Sequence, residues 1–202
     1  MTANTSTTFA NLVHARRSVY EIGTNSDVTV DDVAATLRNI TGRLPSAVNS
    51  QSTRLVIVTG EKSDAVWDMV HEDQKTALSP EMYEIFAPRF EQAKKGLGTV
   101  LMFESRDAVE NMGLSPDRNE LYKENNHGIA AFGVWLALTE LGLGASLQHF
   151  NVGYEQGYDA KIREYLGLPA DFEMLAQMPF GSIEEPGAQK PSIAPEEHVF
   201  IA

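Results

Sequence analysis

The sequence predicts one domain of the α/β or α+β class, in which helices cover a single small sheet. Segments with helical periodicity alternate along the chain with short apolar runs, as expected when helices pack on the faces of one sheet. A length of 202 residues favours one domain over two very small ones. The hydrophobic fraction of 43% is large enough for one sizeable core.

Helices are predicted where apolar residues recur every three or four positions. In the first helix Phe9, Leu12 and Val13 share one face. In the second helix Thr29 and Asp32 have the spacing of a capping box. The predicted helices span residues 7–20, 30–41, 63–76, about 80–95, 119–141 and a short segment that ends near 165–169.

The predicted helix at 119–141 differs from the others because its second half is apolar on all sides. Such a helix has to be enclosed all round, and it also suits a dimer interface. Strands are predicted where short apolar runs are bounded by turn residues. They span residues 55–59, 98–104, 144–150 and 173–181.

The segment 182–202 fits neither pattern. Pro186, Pro191 and Pro195 exclude a continuous helix, and the final letters HVFIA have strand character without a local partner. Pairing with the sheet of a second subunit would cover these apolar residues, and so would folding back onto the same domain. A disordered tail is the third alternative. We therefore expect one domain over 1–181 and an extended tail over 182–202.

Charge and composition exclude several classes of function. The formal net charge is −12, so no basic surface could dominate the field around the protein and attract nucleic acid. The chain has no cysteine, which excludes disulfides, thiolate metal sites and cysteine nucleophiles. Its five histidines are scattered without metal-ligand spacing, so we expect no metal.

We expect a cytoplasmic protein that does not enter a membrane. The longest uncharged apolar run, GIAAFGVWLAL at 128–138, is well short of the roughly 20 residues that cross a bilayer. The first 18 residues contain no apolar core of the secretory type.

The segment HARRSVY closes the first predicted helix with several hydrogen-bond donors. Arg16 lies seven residues after Phe9 and hence on the apolar face, where a charge needs an anionic partner. Arg17 and Ser18 add guanidinium and hydroxyl donors at the same helix end. These residues are typical of a phosphate clamp, and the alternative is a salt bridge to one of the 28 acidic side chains.

Two further segments carry polar side chains beside predicted strands. The neutral residues of the loop before the first strand could bind a flat polar heterocycle, or they could serve as capping and turn residues. They are Ser46, Asn49, Ser50, Gln51, Ser52 and Thr53. Gln148 and His149 end a predicted strand, where ligands often bind in α/β proteins, although a lone histidine there is commonly structural.

Together these segments resemble the nitroreductase family of FMN-dependent oxidoreductases. The likeness is greatest to its short branch, typified by the fatty-acid-repression-mutant protein of yeast and its bacterial relatives. The matching segments occur in family order and cover nearly the whole chain. They are ARRSVY (15–20), PSAVNSQSTR (45–54), GTVLMFE (98–104), FGVWLALTELGLGASLQHFN (132–151), AQMPFG (176–181) and EEPGAQK (184–190).

The resemblance implies a three-layer α+β sandwich with a small mixed sheet flanked by helices. It implies a homodimer that exchanges its C-terminal strand, with the tail 182–202 reaching the partner and FMN sites at the interface. The implied activity is ping-pong hydride transfer from NADH or NADPH through FMN to a nitroaromatic or quinone acceptor, without a protein nucleophile. The alternative is a flavin-binding regulatory or sequestration protein with little turnover.

The same resemblance implies which residues hold the phosphate end of FMN. Arg16, Arg17 and Ser18 match residues that hold the phosphate and the ribityl chain, and Lys190 matches a basic tail residue near the phosphate. Tyr20 falls near the pyrimidine end, where many relatives have a basic residue. Many relatives also have a Lys-x-Arg pair in the tail, whereas KPS here leaves one cation.

Three other groups of residues are implied to lie around the flavin ring. The partner subunit would donate a loop, and a segment near the end of the third strand would pass beside flavin N5 and the dimethylbenzene side. Lys94, rather than Lys95, would approach N1 and O2 as electrostatic support. The loop residues are Ser46, Ala47, Asn49 and Gln51, and those of the segment are Leu147, Gln148 and His149.

Overall fold

The computed structural model describes residues 8–201, so the first residues of the predicted domain, the start of the predicted first helix and the last residue of the tail lie outside it. Within this range the strands are β1 (Ile22–Gly23), β2 (Thr53–Val58), β3 (Gly98–Ser105), β4 (Gly144–Ala145) and β5 (Phe172–Ile183). The helices are α1 (Phe9–Ala15), α2 (Val30–Thr41), α3 (Gly60–Ala77), α4 (Pro80–Ala93), α5 (Arg106–Glu110), α6 (Pro116–Glu140), α7 (Ala160–Leu166) and α8 (Pro195–His198).

The strands form one sheet in the order β1-β5-β3-β2, and β4 pairs with the end of β5. Its ladders are antiparallel, and within residues 8–201 the parallel pairing is confined to an isolated bridge between Ser18 and Ala145. We expected a mixed sheet, but the paired strands are antiparallel, and parallel pairing occurs only at the bridge between Ser18 and Ala145. Because β5 pairs with β1 and β4 near its C-terminal end, the chain after β5 emerges beside residues 18–23.

Helices pack on both faces of the sheet, which confirms the expected α+β sandwich. Alternate residues of a strand point to opposite faces, and β3 shows this alternation clearly. Val100 and Met102 pack in a core cluster with residues of α2 and α6. Leu101 and Phe103 pack in a second cluster with residues of α3 and α4.

Two predicted elements are shorter than the sequence indicated. The first helix ends at Ala15 instead of residue 20, because the chain turns out of helical geometry at Arg16 (ψ 126°) and runs beside β4. There the Val19 N–H donates to the Ala145 carbonyl at 2.9 Å. The strand expected over 144–150 is reduced to β4 and one further bridge, between Gln148 and Gln177.

The expectation that the second half of α6 is enclosed on all sides is wrong for the single chain. Ile129 is 38% exposed and Phe132 is 40% exposed, on the same side of the helix as Leu121. The tail is exposed as well, and Phe200 keeps 80% of its surface in contact with solvent. The single chain thus leaves two apolar surfaces uncovered.

None of the helices within residues 8–201 is both long and apolar enough to cross a membrane.

Candidate functional site

A cavity of about 480 Å³ lies between the segment that follows α1 and the segment that follows β5. Five residues predicted from the sequence line this cavity: Arg16, Arg17, Ser18, Tyr20 and Lys190. The other lining residues are Glu21, Glu185, Pro186, Gly187 and Ala188. The fold therefore brings together the two segments that the sequence analysis associated with a phosphate, the one around Arg16 and the one around Lys190.

Backbone contacts hold the two walls of the cavity close together. The Glu184 N–H donates to the Glu21 carbonyl at 3.0 Å. A Cβ atom on Gly187 would lie 2.6 Å from Arg17 Cβ and 2.6 Å from the Ser18 carbonyl oxygen. Position 187 consequently accepts no larger residue unless the two walls separate.

The two arginines of the cavity have no acidic partner among the described residues. Within residues 8–201 neither guanidinium forms an ion pair, which removes the salt-bridge alternative for Arg16. One Arg17 nitrogen donates to the carbonyls of His14 and Arg16, both at 2.7 Å, and so closes the end of α1. The Arg16 guanidinium lies 4.4 Å from the centre of the Trp135 ring. Burial and the neighbouring Arg17 lower the pKa of Arg16, as expected for cations without a counter-ion.

The neutral loop over 46–52 is held by one side chain of α6. The Asn126 Oδ1 accepts from the Ala47 N–H at 2.8 Å, and its Nδ2 donates to Ser50 Oγ at 3.0 Å and to Ser52 Oγ at 3.1 Å. The loop backbone is strained, since Val48, Asn49 and Gln51 have positive φ. Ser46 adds an internal bond by accepting from the Gln51 N–H at 3.0 Å.

The loop residues do not meet the arginines in the single chain. Of the residues described, Ser46, Ala47, Asn49 and Gln51 contribute nothing to the lining of the cavity that contains Arg16. Their predicted contact with a cofactor through a second copy of the chain stays a prediction.

The segment Leu147–His149 is fixed against the sheet. Gln148 and Gln177 exchange backbone hydrogen bonds of 2.8 and 2.9 Å, and Gln148 Nε2 donates to Ser146 Oγ at 2.9 Å. Leu147 packs against the core formed with α6. His149 lines a second cavity, of about 720 Å³, next to the C-terminal end of α3.

His149 also contacts a buried histidine that the sequence analysis did not single out. The rings of His127 and His149 meet edge to face, with centroids 6.4 Å apart. Burial, helped by His149, lowers the pKa of His127 to about 4, so His127 is neutral. Within the part of the chain described here, neither of its ring nitrogens has a hydrogen-bond partner.

Lys94 lies at the C-terminal end of α4 and already has acidic partners. Its ammonium pairs with Asp68 and, at 3.2 Å, with Glu91. Among the described residues it is absent from the lining of the cavity around Arg16. Its predicted role near the flavin stays a prediction.

A buried carboxyl lies beneath the neutral loop. Glu104 is fully buried at the end of β3, where Thr53 Oγ1 donates to its Oε1 at 2.7 Å and its Oε2 has no partner among the described residues. Burial raises the pKa of Glu104 to about 7. The ammonium of nearby Lys123 pairs with Glu173 at 2.7 Å, and its charge offsets only part of the effect of burial on Glu104.

Sequence reasoning missed Asn126, Glu104 and a third residue, Arg89, whose guanidinium lies 4.6 Å from the centre of the Tyr20 ring. An amide within the long helix and a carboxylate closing an apolar strand were visible signals for the first two. Nothing in the sequence around Arg89 indicated its partner.

The described residues hold no group of three or more His, Asp or Glu side chains placed to bind a metal ion.

Comparison with known proteins identifies the class to which this fold and cavity belong. The model of the nitroreductase family matches residues 13–182, and the chain belongs to that family. This confirms the resemblance inferred from the sequence, and the family makes the protein an oxidoreductase.

Individual relatives match over nearly the full chain. The putative nitroreductase HBN1 of Saccharomyces cerevisiae is 28% identical over 199 residues, which cover 96% of this chain and 97% of HBN1. The nitroreductase CinD from Lactococcus lactis, solved in complex with chloramphenicol, is 31% identical, with a TM-score of 0.82 over 96% of this chain and 100% of CinD. A putative nitroreductase from Desulfovibrio desulfuricans, solved in complex with FMN, shares the fold at 19% identity, with a TM-score of 0.66 over 96% of this chain and 95% of that chain.

Proposed function

We propose that this protein is an FMN-dependent oxidoreductase that passes electrons from NADH or NADPH to nitroaromatic or quinone acceptors in the cytoplasm. The observation that carries the proposal is the cavity where Arg16, Arg17 and Lys190 meet without an acidic partner among the described residues. The phosphate of FMN is a dianion, and arginine binds phosphate oxygens two at a time.

The cavity fits the phosphate end of FMN by the chemistry of its donors. Arg16 and Arg17 would bind phosphate oxygens, Ser18 would donate its hydroxyl, and Lys190 would close the site from the tail. Two carboxylates, Glu21 and Glu185, also line the cavity but form no ion pair with these cations, so the cations stay available to an anion. Gly187 supports the fit because its missing side chain lets the tail approach Arg17 closely.

The remaining contacts of the cofactor would come from rigid parts of the chain. Bound FMN would supply the hydride chemistry, and the protein would orient it and exclude water. The segment Leu147–His149 would support the ring, since its bonds to Gln177 and Ser146 fix its position. CinD has also been solved in complex with 4-nitrophenol, a nitroaromatic compound, and this supports the proposal of a nitroaromatic acceptor for the present protein.

We propose that the working form is a homodimer that exchanges the tail over 182–202. Strand β2 is an edge of the sheet, and a groove of about 440 Å³ lies between β2 and α2. The groove contains apolar side chains, among them Leu55 and Ile57, together with the cations Arg38 and Arg54.

The exposed tail has the complementary chemistry. Glu196 and Glu197 precede three apolar residues, Val199–Ile201, that are 73%, 80% and 100% exposed in the single chain. A tail from a second copy would cover the groove and would bury these apolar side chains. Pairing of the tail with β2 would also protect this edge strand from aggregation. The exposed side of α6 would then face the partner, and the loop over 46–51 would reach the partner's cofactor.

The experiment is reconstitution of the purified protein with FMN, followed by its visible spectrum and by anaerobic titration with NADH and with NADPH. We expect flavin absorption that bleaches with at least one donor and returns when a nitroaromatic or a quinone is added. Flavin binding without bleaching would instead identify a regulatory or sequestration protein. A protein that binds no flavin would overturn the proposal.

A further inference from the structure

The cavity beside His149 is wide enough for a small molecule. Its volume is about 720 Å³, which is within the range of ligand sites in proteins. It lies between the C-terminal end of α3, the segment that ends at His149 and the loop over 152–158 that leads into α7. The proposed function uses only one of its walls, the segment Leu147–His149. Its lining includes Asp73, Gln74, His149, Asn151, Tyr158 and Lys161.

Hydrogen bonds between side chains fix one side of this cavity. Asn151 is 5% exposed, and its Oδ1 accepts from Gln74 Nε2 at 2.8 Å. Its Nδ2 donates to Asp73 Oδ2 at 2.7 Å. The backbone of Asn151 has a φ of 53°, a conformation that asparagine adopts more readily than most residues. This side of the cavity is therefore formed before a ligand arrives, and the amide of Asn151 already has partners.

The described lining of the cavity carries no net charge, because its charged residues are Asp73 and Lys161. The Lys161 ammonium lies 3.7 Å from Asp73 and 2.7 Å from Glu72, so two carboxylates already neutralise it. Burial lowers the pKa of His149, although the carboxylate of Glu124 opposes this effect, and the ring is mostly neutral at about pH 7. An anion in this cavity would lose water without gaining an unpaired cation.

An aromatic side chain borders the cavity on the side of the loop. Tyr158 is 60% exposed, and its ring packs on Gly153, where an added Cβ would lie 2.7 Å from Tyr158 Cδ2. The other tyrosine of the loop is held elsewhere, since the Tyr154 hydroxyl donates to the Ala170 carbonyl at 2.9 Å. Most of the surface of Tyr158 is therefore available to a ligand in the cavity.

We infer that the cavity beside His149 binds the electron acceptor and selects uncharged aromatic molecules, such as a nitrobenzamide or a neutral quinone, over anionic ones. The inference rests on the proposed function, which places the segment Leu147–His149 against the flavin ring. A ligand in the cavity lies next to His149 and hence beside that ring. An aromatic ligand stacks on Tyr158, whereas a carboxylate on the ligand finds Lys161 already paired.

The test is the equilibrium binding of 4-nitrobenzamide and of 4-nitrobenzoate, which differ mainly in charge, measured by dialysis against the oxidised, FMN-loaded protein. FMN is included because its phosphate would occupy the cavity around Arg16 and keep the benzoate from binding there. We expect the amide to bind at least about fivefold more tightly, since the benzoate has to lose water without gaining a free cation. Equal binding, or tighter binding of the benzoate, overturns the inference.

Two variants change the charge of the cavity in opposite directions. Asp73→Asn removes one of the carboxylates that neutralise Lys161, and it should lower the preference for the amide about threefold. Lys161→Met leaves Asp73 without its cation, and it should raise the preference about threefold. The preference compares two ligands on the same variant, so it does not depend on the fraction of folded protein. A merely structural role of both residues would leave the preference unchanged, and that result overturns selection by charge.

Tyr158→Ala tests the location of the site. It should weaken the binding of the amide about tenfold, because the ligand loses its aromatic neighbour. The control Tyr165→Ala, at an exposed position on α7 outside the described lining, should not change the binding. If FMN is bound and Tyr158→Ala leaves the binding of the amide unchanged, the inference fails and the proposed function stands. A wild type that binds no FMN overturns the proposed function and, with it, the role of the cavity as an acceptor site.

Discussion

Arg16 and Arg17 place two positive charges in one cavity, and no carboxylate among the described residues forms an ion pair with either of them. In a chain with a net charge of −12, such a pair is retained most readily when a ligand supplies the counter-charge. Removal of both arginines should therefore weaken the binding of an anion strongly and change the stability of the ligand-free protein little.

The double variant Arg16→Met and Arg17→Met should weaken FMN binding at least about 100-fold, because each charged hydrogen bond contributes about 1.5–3 kcal/mol. The free energy of unfolding without ligand should fall little, since the variant relieves repulsion between two cations. Titration of flavin fluorescence measures the affinity, with riboflavin as the ligand that lacks the phosphate. A similar loss of affinity for FMN and riboflavin would contradict a phosphate site.

Glu104 makes stability depend on pH in the direction set by its raised pKa. Burial raises this pKa to about 7, so the folded state holds the proton more tightly than the unfolded state does. Its contribution to stability is complete below about pH 4.5 and is lost as the pH rises through about 7.

The variant Glu104→Gln should therefore gain stability relative to the wild type as the pH rises from 5 to 8, by about 2.5 kcal/mol. Urea unfolding at several pH values measures the difference. The matched control is Glu110→Gln, at an exposed position on α5, for which the difference should not change with pH. A constant difference for Glu104→Gln would show that the carboxyl is charged throughout this range.

At the scale of secondary-structure elements, α6 acts as a support for the neutral loop. Asn126 satisfies one backbone group and two hydroxyls of that loop, whereas its neighbour Asn125 is exposed. Asn126→Ala should cost about 2 kcal/mol, because it leaves buried polar groups without partners. Asn125→Ala should change stability by less than about 0.5 kcal/mol.

Chemical denaturation measures both asparagine variants, and proteolysis within residues 46–52 reports on the loop itself. Faster cleavage in Asn126→Ala than in Asn125→Ala is expected, since only the first variant releases the loop. Equal cleavage rates would show that the strained backbone holds its shape without the helix.

Local signals predicted some elements closely and failed for others. The bounds of α2, Val30–Thr41, are those that the sequence indicated, because Thr29 and Asp32 form the expected capping box. The end of α1 was wrong because the pairing of Ser18 with Ala145 is a contact between residues far apart in the sequence. The strand at 144–150 was too long for a similar reason, since Leu147 packs in the core cluster that contains α6 and Phe150 packs in the cluster that contains α3 and α4.

The residues of the candidate site were likewise predicted only in part from the sequence. Arg16, Arg17 and Ser18 are consecutive, so their shared chemistry was visible before the fold was known, and the family resemblance added Lys190. Asn126, Glu104 and Arg89 act through partners on other elements. The sequence showed an unusual residue type at the first two positions, but no local pattern identified the partners.

At the scale of the whole molecule, the uncovered groove and the exposed tail predict the assembly. Arg38 lies in the groove and Glu197 lies in the tail, and the proposed exchange brings the two surfaces together. Arg38→Glu should raise the dissociation constant of the dimer about tenfold, because it replaces an attraction with a repulsion. Adding Glu197→Arg in the same chain should restore dimerisation.

Size-exclusion chromatography with light scattering over a range of concentrations measures this constant. The control is Lys62→Met, a neutral change at an exposed cation on α3, outside the groove, the tail and the exposed side of α6. If the two charge reversals weaken the dimer additively, with no rescue, the tail of one copy does not lie in this groove of the other.

The cavity around Arg16 is built from two segments that lie far apart in the sequence, within residues 16–21 and 185–190. During synthesis on the ribosome the first segment emerges well before the second. A nascent chain that ends before residue 185 therefore has only one wall of the cavity. An anion that needs both walls can bind only after the second segment has been synthesised and has packed against the first.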